Sequence, residues 1–257
     1  MLLGNDISKW QGEINWEVYK NNTNFCILKA SEGTGYTDPK FYSYQTAASV
    51  NNIPLGYYHF ARPDLGNSAE AEADWFIKVI GEIREGELLC LDFEPQWNGN
   101  PVVWSKNFLD RVASRLNGYK CPIYLNQSQI TSWDWSPVAN AGYGLWVAAY
   151  TYDPTINTFP TGAWPFACMQ QWTNKQIVPG ISGGVDGDVF FGDLVAFKKY
   201  GYHKPIVTPP TPPPTPPTPL PEPTPICPKY AEAKAILFGK GFWWVKLAKL
   251  KELFKNV

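Results

Sequence analysis

The run Leu88-Leu89-Cys90-Leu91-Asp92-Phe93-Glu94-Pro95-Gln96-Trp97 places two carboxylates two residues apart at the end of an apolar stretch. Side chains alternate along a strand, so Asp92 and Glu94 share a face. Two carboxyls that close repel each other, and one pKa rises. A protonated Glu beside an ionised Asp is the equipment of glycosidic cleavage. The acid protonates the leaving oxygen, and its partner stabilises the cationic transition state or positions a neighbouring group. Taken alone, such a pair is a common surface feature. Here Asp6, at the end of an apolar start, and Asp186 and Asp188, within Val185–Phe190, supply further acids from separate apolar runs.

Those acids must be brought together by strands. Eight short apolar runs read as such: Leu2–Ile7, Phe25–Ala30, Ile53–Phe60, Leu88–Phe93, Pro122–Asn126, Leu145–Tyr150, Phe166–Trp172 and Val185–Phe190. Several are continuously apolar, as expected of parallel strands buried on both faces. The gaps between the first five can each hold a helix: Trp16–Asn22, Pro39–Asn51, Ala69–Ile83 with Asn67 as N-cap and Glu70 in a capping box, and a helix from Pro101 to about Leu116. Later gaps are short and rich in Gly, Pro and Trp. The expected fold is α/β, an eight-stranded β/α barrel with about five helices, a shortened relative of the (β/α)₈ barrel. In that architecture chemistry sits at the C-terminal strand ends. Asp6, Asp92 with Glu94, Tyr124 with Asn126, and Gln170 with Gln171 then face one mouth, joined by Asp186 and Asp188.

Three further residues have two readings each. Glu32 is either a groove residue or the acid of a Gly-rich turn. His59 either lines the site or is a hydrogen-bonded core residue. Trp97 is either a stacking platform for a sugar or a packing residue.

Composition narrows the alternatives. Hydrophobic residues are 44% of the 257, enough for a sizeable core, and a net charge of −1 argues against nucleic acid as a partner. With only two His, His59 and His203, far apart, no metal and no cofactor are expected. Cys26, Cys90, Cys121 and Cys168 lie in or beside apolar runs and read as buried thiols, the fifth being Cys227; this suggests folding in a reducing compartment. The start, MLLGNDISKW, has neither a basic region nor an apolar stretch of useful length, so no signal peptide is expected.

With these pieces in place the sequence resembles glycoside hydrolase family 25, the Chalaropsis-type lysozymes. The matching motifs are GNDISKWQG, LKASEGTGYTDPKF, GYYHFARP, LDFEP, PIYLN, LWVAAY, MQQWT and VDGDVF, in the family's order over about residues 4–191. The resemblance implies a flattened barrel that hydrolyses the β-1,4 bond between N-acetylmuramic acid and N-acetylglucosamine in peptidoglycan. It implies Glu94 as proton donor, Asp92 as its partner, and Asp6 and Asp186 as further active-site acids. Tyr58, Tyr124, Trp146 and Gln170 fall at groove positions. Asp188 stands where the family pattern leads one to expect Asn. Asp92 would orient the substrate's 2-acetamido group, or Asp6 or Asp186 would serve as base in an inverting route. A non-catalytic wall-binding barrel and a glycosidase acting on another N-acetyl-sugar polymer are the alternatives.

The chain divides into a catalytic domain (1–204), a proline-rich linker (205–228) and a tail (229–257). The linker, PIVTPPTPPPTPPTPLPEPTPICP, excludes helix and interior strand and as polyproline II would span roughly 50 Å over 209–225. From Pro228 onward the sequence carries seven Lys and two Glu. Trp243, Leu247, Leu250, Phe254 and Val257 follow helical spacing, and Gly239 and Gly241 should split the tail into two helices. Its apolar stripe needs a partner: an anionic membrane or wall polymer, with self-association into a homo-oligomer as the rival. The reduced thiols and missing leader suggest a phage or prophage endolysin, made in the bacterial cytoplasm and reaching the cell wall after holin-mediated release.

Overall fold

The computed structural model describes residues 1–204 and 228–255. The proline-rich linker expected over 205–228 lies, but for its last residue, outside the described residues, as do Cys227 and Val257. Two compact units are present, Met1–Ile206 and Val207–Val257.

Eight strands of the first unit close into a barrel: β1 (Leu2–Ile7), β2 (Phe25–Glu32), β4 (Leu55–Phe60), β5 (Leu88–Asp92), β6 (Ile123–Asn126), β7 (Leu145–Ala148), β8 (Met169–Ile177) and β9 (Gly184–Phe190). A two-residue strand, β3 (Tyr36–Thr37), pairs with the end of β2 in a small hairpin. Each of the eight coincides with an expected apolar run. Neighbours from β1 round to β8 are parallel. The last strand differs: β9 is antiparallel to both β8 and β1, with Gln171 opposite Asp188 and Gly4 opposite Asp188. β8 and β9 form a hairpin, which needs no crossover helix. The mouth therefore receives the beginning of β9, not its end.

Alternation divides the strand residues between two cores. Leu28, Tyr57, Leu89, Leu91, Ile123 and Val147 belong to the outer layer between strands and helices. Phe25, Ile27, Leu88, Cys90, Met169 and Phe190 fill the barrel's interior with Tyr58, Tyr124 and Trp146. Phe197, from α7 (Leu194–Tyr200), packs against Phe25 and Phe190 and closes the lower end. Gly56 suits this crowding, because a Cβ there would lie 2.5 Å from Ile27 Cδ1.

The helices correct the expected count of about five. Among the described residues the first unit has seven, but only α2 (Phe41–Val50), α3 (Ala69–Ile80) and α4 (Pro101–Arg115) reach ten residues. The others, α1 (Trp16–Tyr19), α5 (Gln127–Ser132), α6 (Ser136–Ala139) and α7, are short. The N-cap of α3 is Ser68, not Asn67: Ser68 Oγ accepts from Ala71 N at 3.2 Å. Asn67 instead lends its carbonyl oxygen to the Trp104 indole. Asn100 caps α4 by accepting from the amides of Val102 and Val103. Cys26, Cys90, Cys121 and Cys168 are buried free thiols, as read from their surroundings.

The second unit contains α8 (Pro228–Phe238) and α9 (Trp243–Leu253), separated at Gly239–Gly241 as the glycines imply. Phe242 stacks on Trp244, and Lys246 Nζ donates to Leu237 O at 3.0 Å. No helix among the described residues is long and apolar enough to cross a membrane.

Candidate active site

The upper end of the barrel's interior is polar where the lower end is apolar. Asp6 is the last but one residue of β1, Asp92 ends β5, Glu94 follows it shortly, and Asp186 and Asp188 lie within β9. The five carboxyls act on one another electrostatically, so the acids anticipated from three separate runs occupy one place. Asp6, Asp92 and Asp188 are buried, whereas the Glu94 side chain remains open to solvent.

Burial pushes the Asp6 and Asp92 carboxyls well above the ordinary range. The charge of Asp186 adds to this for Asp6, and that of Glu94 for Asp92. Partial loss of water around Glu94, followed by repulsion from Asp186, raises its pKa as well. Asp186 is pushed up to about 6 by burial. Lys29, on β2, opposes the rise at both Asp92 and Glu94. Its ammonium pairs with Glu32 at 2.8 Å and lies over the Phe60 ring. A lysine within the run Phe25–Glu32 offers no spacing signal, and only the barrel's closure shows that it faces the acids.

Neutral donors orient the cluster. Gln171 Nε2 donates to Asp6 Oδ2 at 2.8 Å, and Gln171 Oε1 accepts from the hydroxyls of Tyr124 and Tyr150. Trp146 Nε1 donates to Asp188 Oδ1 at 3.0 Å, with its ring edge-on to Tyr124. Asn5 Nδ2 donates to the Asp186 carbonyl, tying β1 to β9 beside both acids. Tyr58 is within the electrostatic reach of Asp6, Asp92 and Asp186.

Among the expected groove residues, Tyr58, Tyr124 and Trp146 do lie around the acids, but they are largely buried and present little ring surface. Gln170 requires correction. It is fully buried on the outer side of β8, where Nε2 donates to Ala149 O and Thr151 Oγ1. It anchors the segment carrying Tyr150, while its neighbour Gln171 reaches the site. Residues 170 and 171 point to opposite faces, and the run itself does not say which is inside.

Trp97 is half-buried and lines a depression of about 610 Å³ with Glu94, Asn126, Gln129 and Trp133. A second, of about 430 Å³, is bounded by Lys9, Trp10, Lys29, Glu32, Tyr36 and Arg62. Glu32 is thus a rim acid held between Lys29 and Arg62. A further cavity of about 550 Å³ opens at the N-terminal ends of β6, β7 and β8 and contains no carboxylate. His59 belongs to the core. It is fully buried between Ser31 and Glu72, stacked on Phe108, and burial lowers its pKa.

No cluster of His, Cys, Asp and Glu among the described residues has the arrangement to hold a metal ion. What the arrangement can do is general acid catalysis. A solvent-reachable carboxyl with a raised pKa stands beside carboxylates able to stabilise positive charge.

The sequence matches the family described as glycosyl hydrolases family 25 over residues 5–181. It is 34% identical over 208 residues to lysozyme M1 of Streptomyces globisporus, covering 74% of this chain and 68% of that protein. It is 32% identical over 205 residues to the N,O-diacetylmuramidase of Chalaropsis sp, covering 73% and 95%. The barrel is similar to the crystal structure of the bacterial lysozyme from Streptomyces coelicolor. The TM-score is 0.69 at 31% identity, over 78% of this chain and 96% of that one.

Proposed function

This chain belongs to the glycosyl hydrolases of family 25, and on that premise we propose that it is a muramidase. Its substrate is peptidoglycan, and the bond it cuts is the β-1,4 link between N-acetylmuramic acid and N-acetylglucosamine. The observation that carries this reading is the convergence of Asp6, Asp92, Glu94 and Asp186 on one barrel mouth, with the Glu94 carboxyl both solvent-reachable and raised in pKa.

Glu94 gives its proton to the leaving glycosidic oxygen. Buried Asp92, two residues earlier on the same face, orients the 2-acetamido group of the sugar or stabilises the developing cation. Asp6 and Asp186 add negative potential where the oxocarbenium charge grows, and this favours the transition state over the bound sugar. The Trp97 and Trp133 depression offers apolar ring surface beside the acid. The test is the new reducing end released from purified peptidoglycan. Muramic acid supports the reading, and glucosamine overturns it in favour of a glucosaminidase.

The tail, 229–257, serves attachment in this reading. Phe238, Phe242, Trp243, Trp244 and Leu247 are exposed, and the Lys-rich sequence around them fits an anionic membrane or wall polymer. Four buried free thiols suit a protein made in a reducing cytoplasm, as an endolysin of a phage or prophage is before its release to the wall. Binding of the whole protein and of residues 1–204 to cell walls and to anionic vesicles tests the tail's part.

A further inference from the structure

Asp188 is the acid that the proposed chemistry leaves without work. It is fully buried, and its side chain lies below Asp186 in the barrel's interior. Oδ1 accepts the Trp146 indole N–H, while Oδ2 receives no N–H or conventional O–H donor among the described residues. Across the β1–β9 ladder Asp188 pairs with Gly4, and Asp6, two residues further along β1, brings its carboxyl close enough for the two acids to share a hydrogen bond. Asp6 in turn accepts from Gln171 on its Oδ2.

The groups facing Asp188 are acids and neutral donors. They are Asp6 from β1, Asp186 from its own strand, Trp146 from β7 and the Cys90 thiol from β5, with the Tyr150 phenol and, behind the barrel wall, the Cys26 thiol of β2 and the Tyr19 phenol of α1 within electrostatic reach. Gln171 is its register partner on β8. None of these is a cation. An ionised Asp188 would be a buried charge against a second buried carboxylate with no cation to offset either, an arrangement that burial strongly disfavours. Two carboxyls in contact keep one proton between them. Each acid accepts one neutral N–H, Asp6 from Gln171 and Asp188 from Trp146, but the buried oxygen left without a donor belongs to Asp188.

We propose that Asp188 is a neutral, proton-bearing positioning residue whose Oδ2–H donates to Asp6 and holds that carboxylate, with Gln171, in its working orientation. The inference rests on Asp6 being an active-site acid, as proposed above. Burial, with repulsion from Asp6 and Asp186, also lifts the Asp188 carboxyl well above its ordinary range. The proton count belongs to the Asp6–Asp188 pair as a unit. An amide at position 188 would donate to Asp6 in the same place without needing a proton.

Two substitutions and two readouts decide the matter. Asp188→Asn keeps an N–H donor and should retain kcat on purified peptidoglycan within about threefold. Asp188→Ala removes the donor and should lower kcat by about 10- to 100-fold while KM changes little, as expected for losing a hydrogen bond to a charged group. The second readout is independent of catalysis. The folded protein retains a proton that the unfolded chain releases above about pH 4, so stability falls as pH rises. Between about pH 4.5 and 6 the folding constant of the parent should fall more steeply than that of Asp188→Asn, by about one factor of ten per pH unit. Equal slopes would show that Asp188 is already ionised and overturn the proposal. So would Asp188→Asn losing as much kcat as Asp188→Ala, or Asp188→Ala retaining full kcat. If Asp188→Ala does not fold, the slope comparison decides alone. That slope does not depend on which bond the enzyme cuts, so failure of the muramidase reading and failure of this one are told apart.

Discussion

Gln171 on β8 donates its amide to Asp6 on β1 across 2.8 Å, spanning the antiparallel strand that separates them. Gln171 is itself held through Oε1 by the hydroxyls of Tyr124 and Tyr150. The first strand's acid is therefore aimed by residues of the domain's second half, and the barrel must be closed before the site exists.

Exchange of the two adjacent glutamines should separate aim from support. Gln171→Ala removes a hydrogen bond to a carboxylate and should lower kcat by about tenfold or more, with a stability loss of about 1–3 kcal/mol from the Tyr124 and Tyr150 hydroxyls it leaves unpaired. Gln170→Ala leaves Ala149 O and Thr151 Oγ1 without their partner and should cost about 1–3 kcal/mol of stability, with the smaller loss of turnover. Urea unfolding and steady-state kinetics on both variants check this. A larger kcat loss at Gln170 would contradict it.

The expected site and the observed one differ mainly where alternation leaves a choice. Continuous apolar runs such as Leu88–Asp92 announce a strand buried on both sides, and all eight such runs are barrel strands. Asp92 and Glu94 were legible because their two-residue spacing survives any register. Gln170 and Gln171 were not separable, since a period of two says that they oppose each other and not which one is inside. Nor does an apolar run carry its direction. The hairpin that reverses β9 depends on pairing with β8 and β1, and pairing is a long-range property. Lys29 and Tyr150 were missed for the same reason, since only barrel closure brings them to the acids.

Activity should fall on the alkaline side as Glu94 loses its proton, and neighbouring charges should set where. Removing the Lys29 charge in Lys29→Met raises the Glu94 pKa and moves that limb to higher pH. Removing the Asp186 charge in Asp186→Asn lowers the pKa and moves the limb to lower pH, whatever happens to the maximal rate. Profiles of kcat/KM against pH read both shifts, and movement of both limbs in one direction would contradict the assignment of the acid.

Asp92 illustrates a stability cost of the site. It is buried, its Oδ1 has no partner among the described residues, and burial with the charge of Glu94 raises its pKa. Folding therefore retains a proton that the unfolded chain gives up, and stability declines as pH rises from about 4. Asp92→Asn should raise the melting temperature at neutral pH while lowering turnover. A melting temperature below the parent's would show that the carboxylate is stabilised by something other than the groups seen here.

Ending the chain after Lys204 should leave the barrel folded, since Lys204 N still donates to Glu85 and Tyr202 N to the Glu87 carbonyl. Soluble wall fragments should be cut at close to the parental rate. Intact cells should be lysed more slowly, because a tethered second site raises local concentration. Added salt should weaken attachment of the whole protein more than that of the truncated one. Equal attachment of both would remove this role from the tail, and an oligomeric parent with a monomeric truncation would favour self-association.

The central claim is that the Glu94 proton breaks the glycosidic bond. The most direct measurement is the rate at which Glu94→Gln releases reducing ends from purified peptidoglycan, with circular dichroism to confirm the fold. An amide of the same shape cannot donate that proton, so the rate should fall by about 10²- to 10⁴-fold with the melting curve intact. Release at near the parental rate from a folded Glu94→Gln protein would contradict the account.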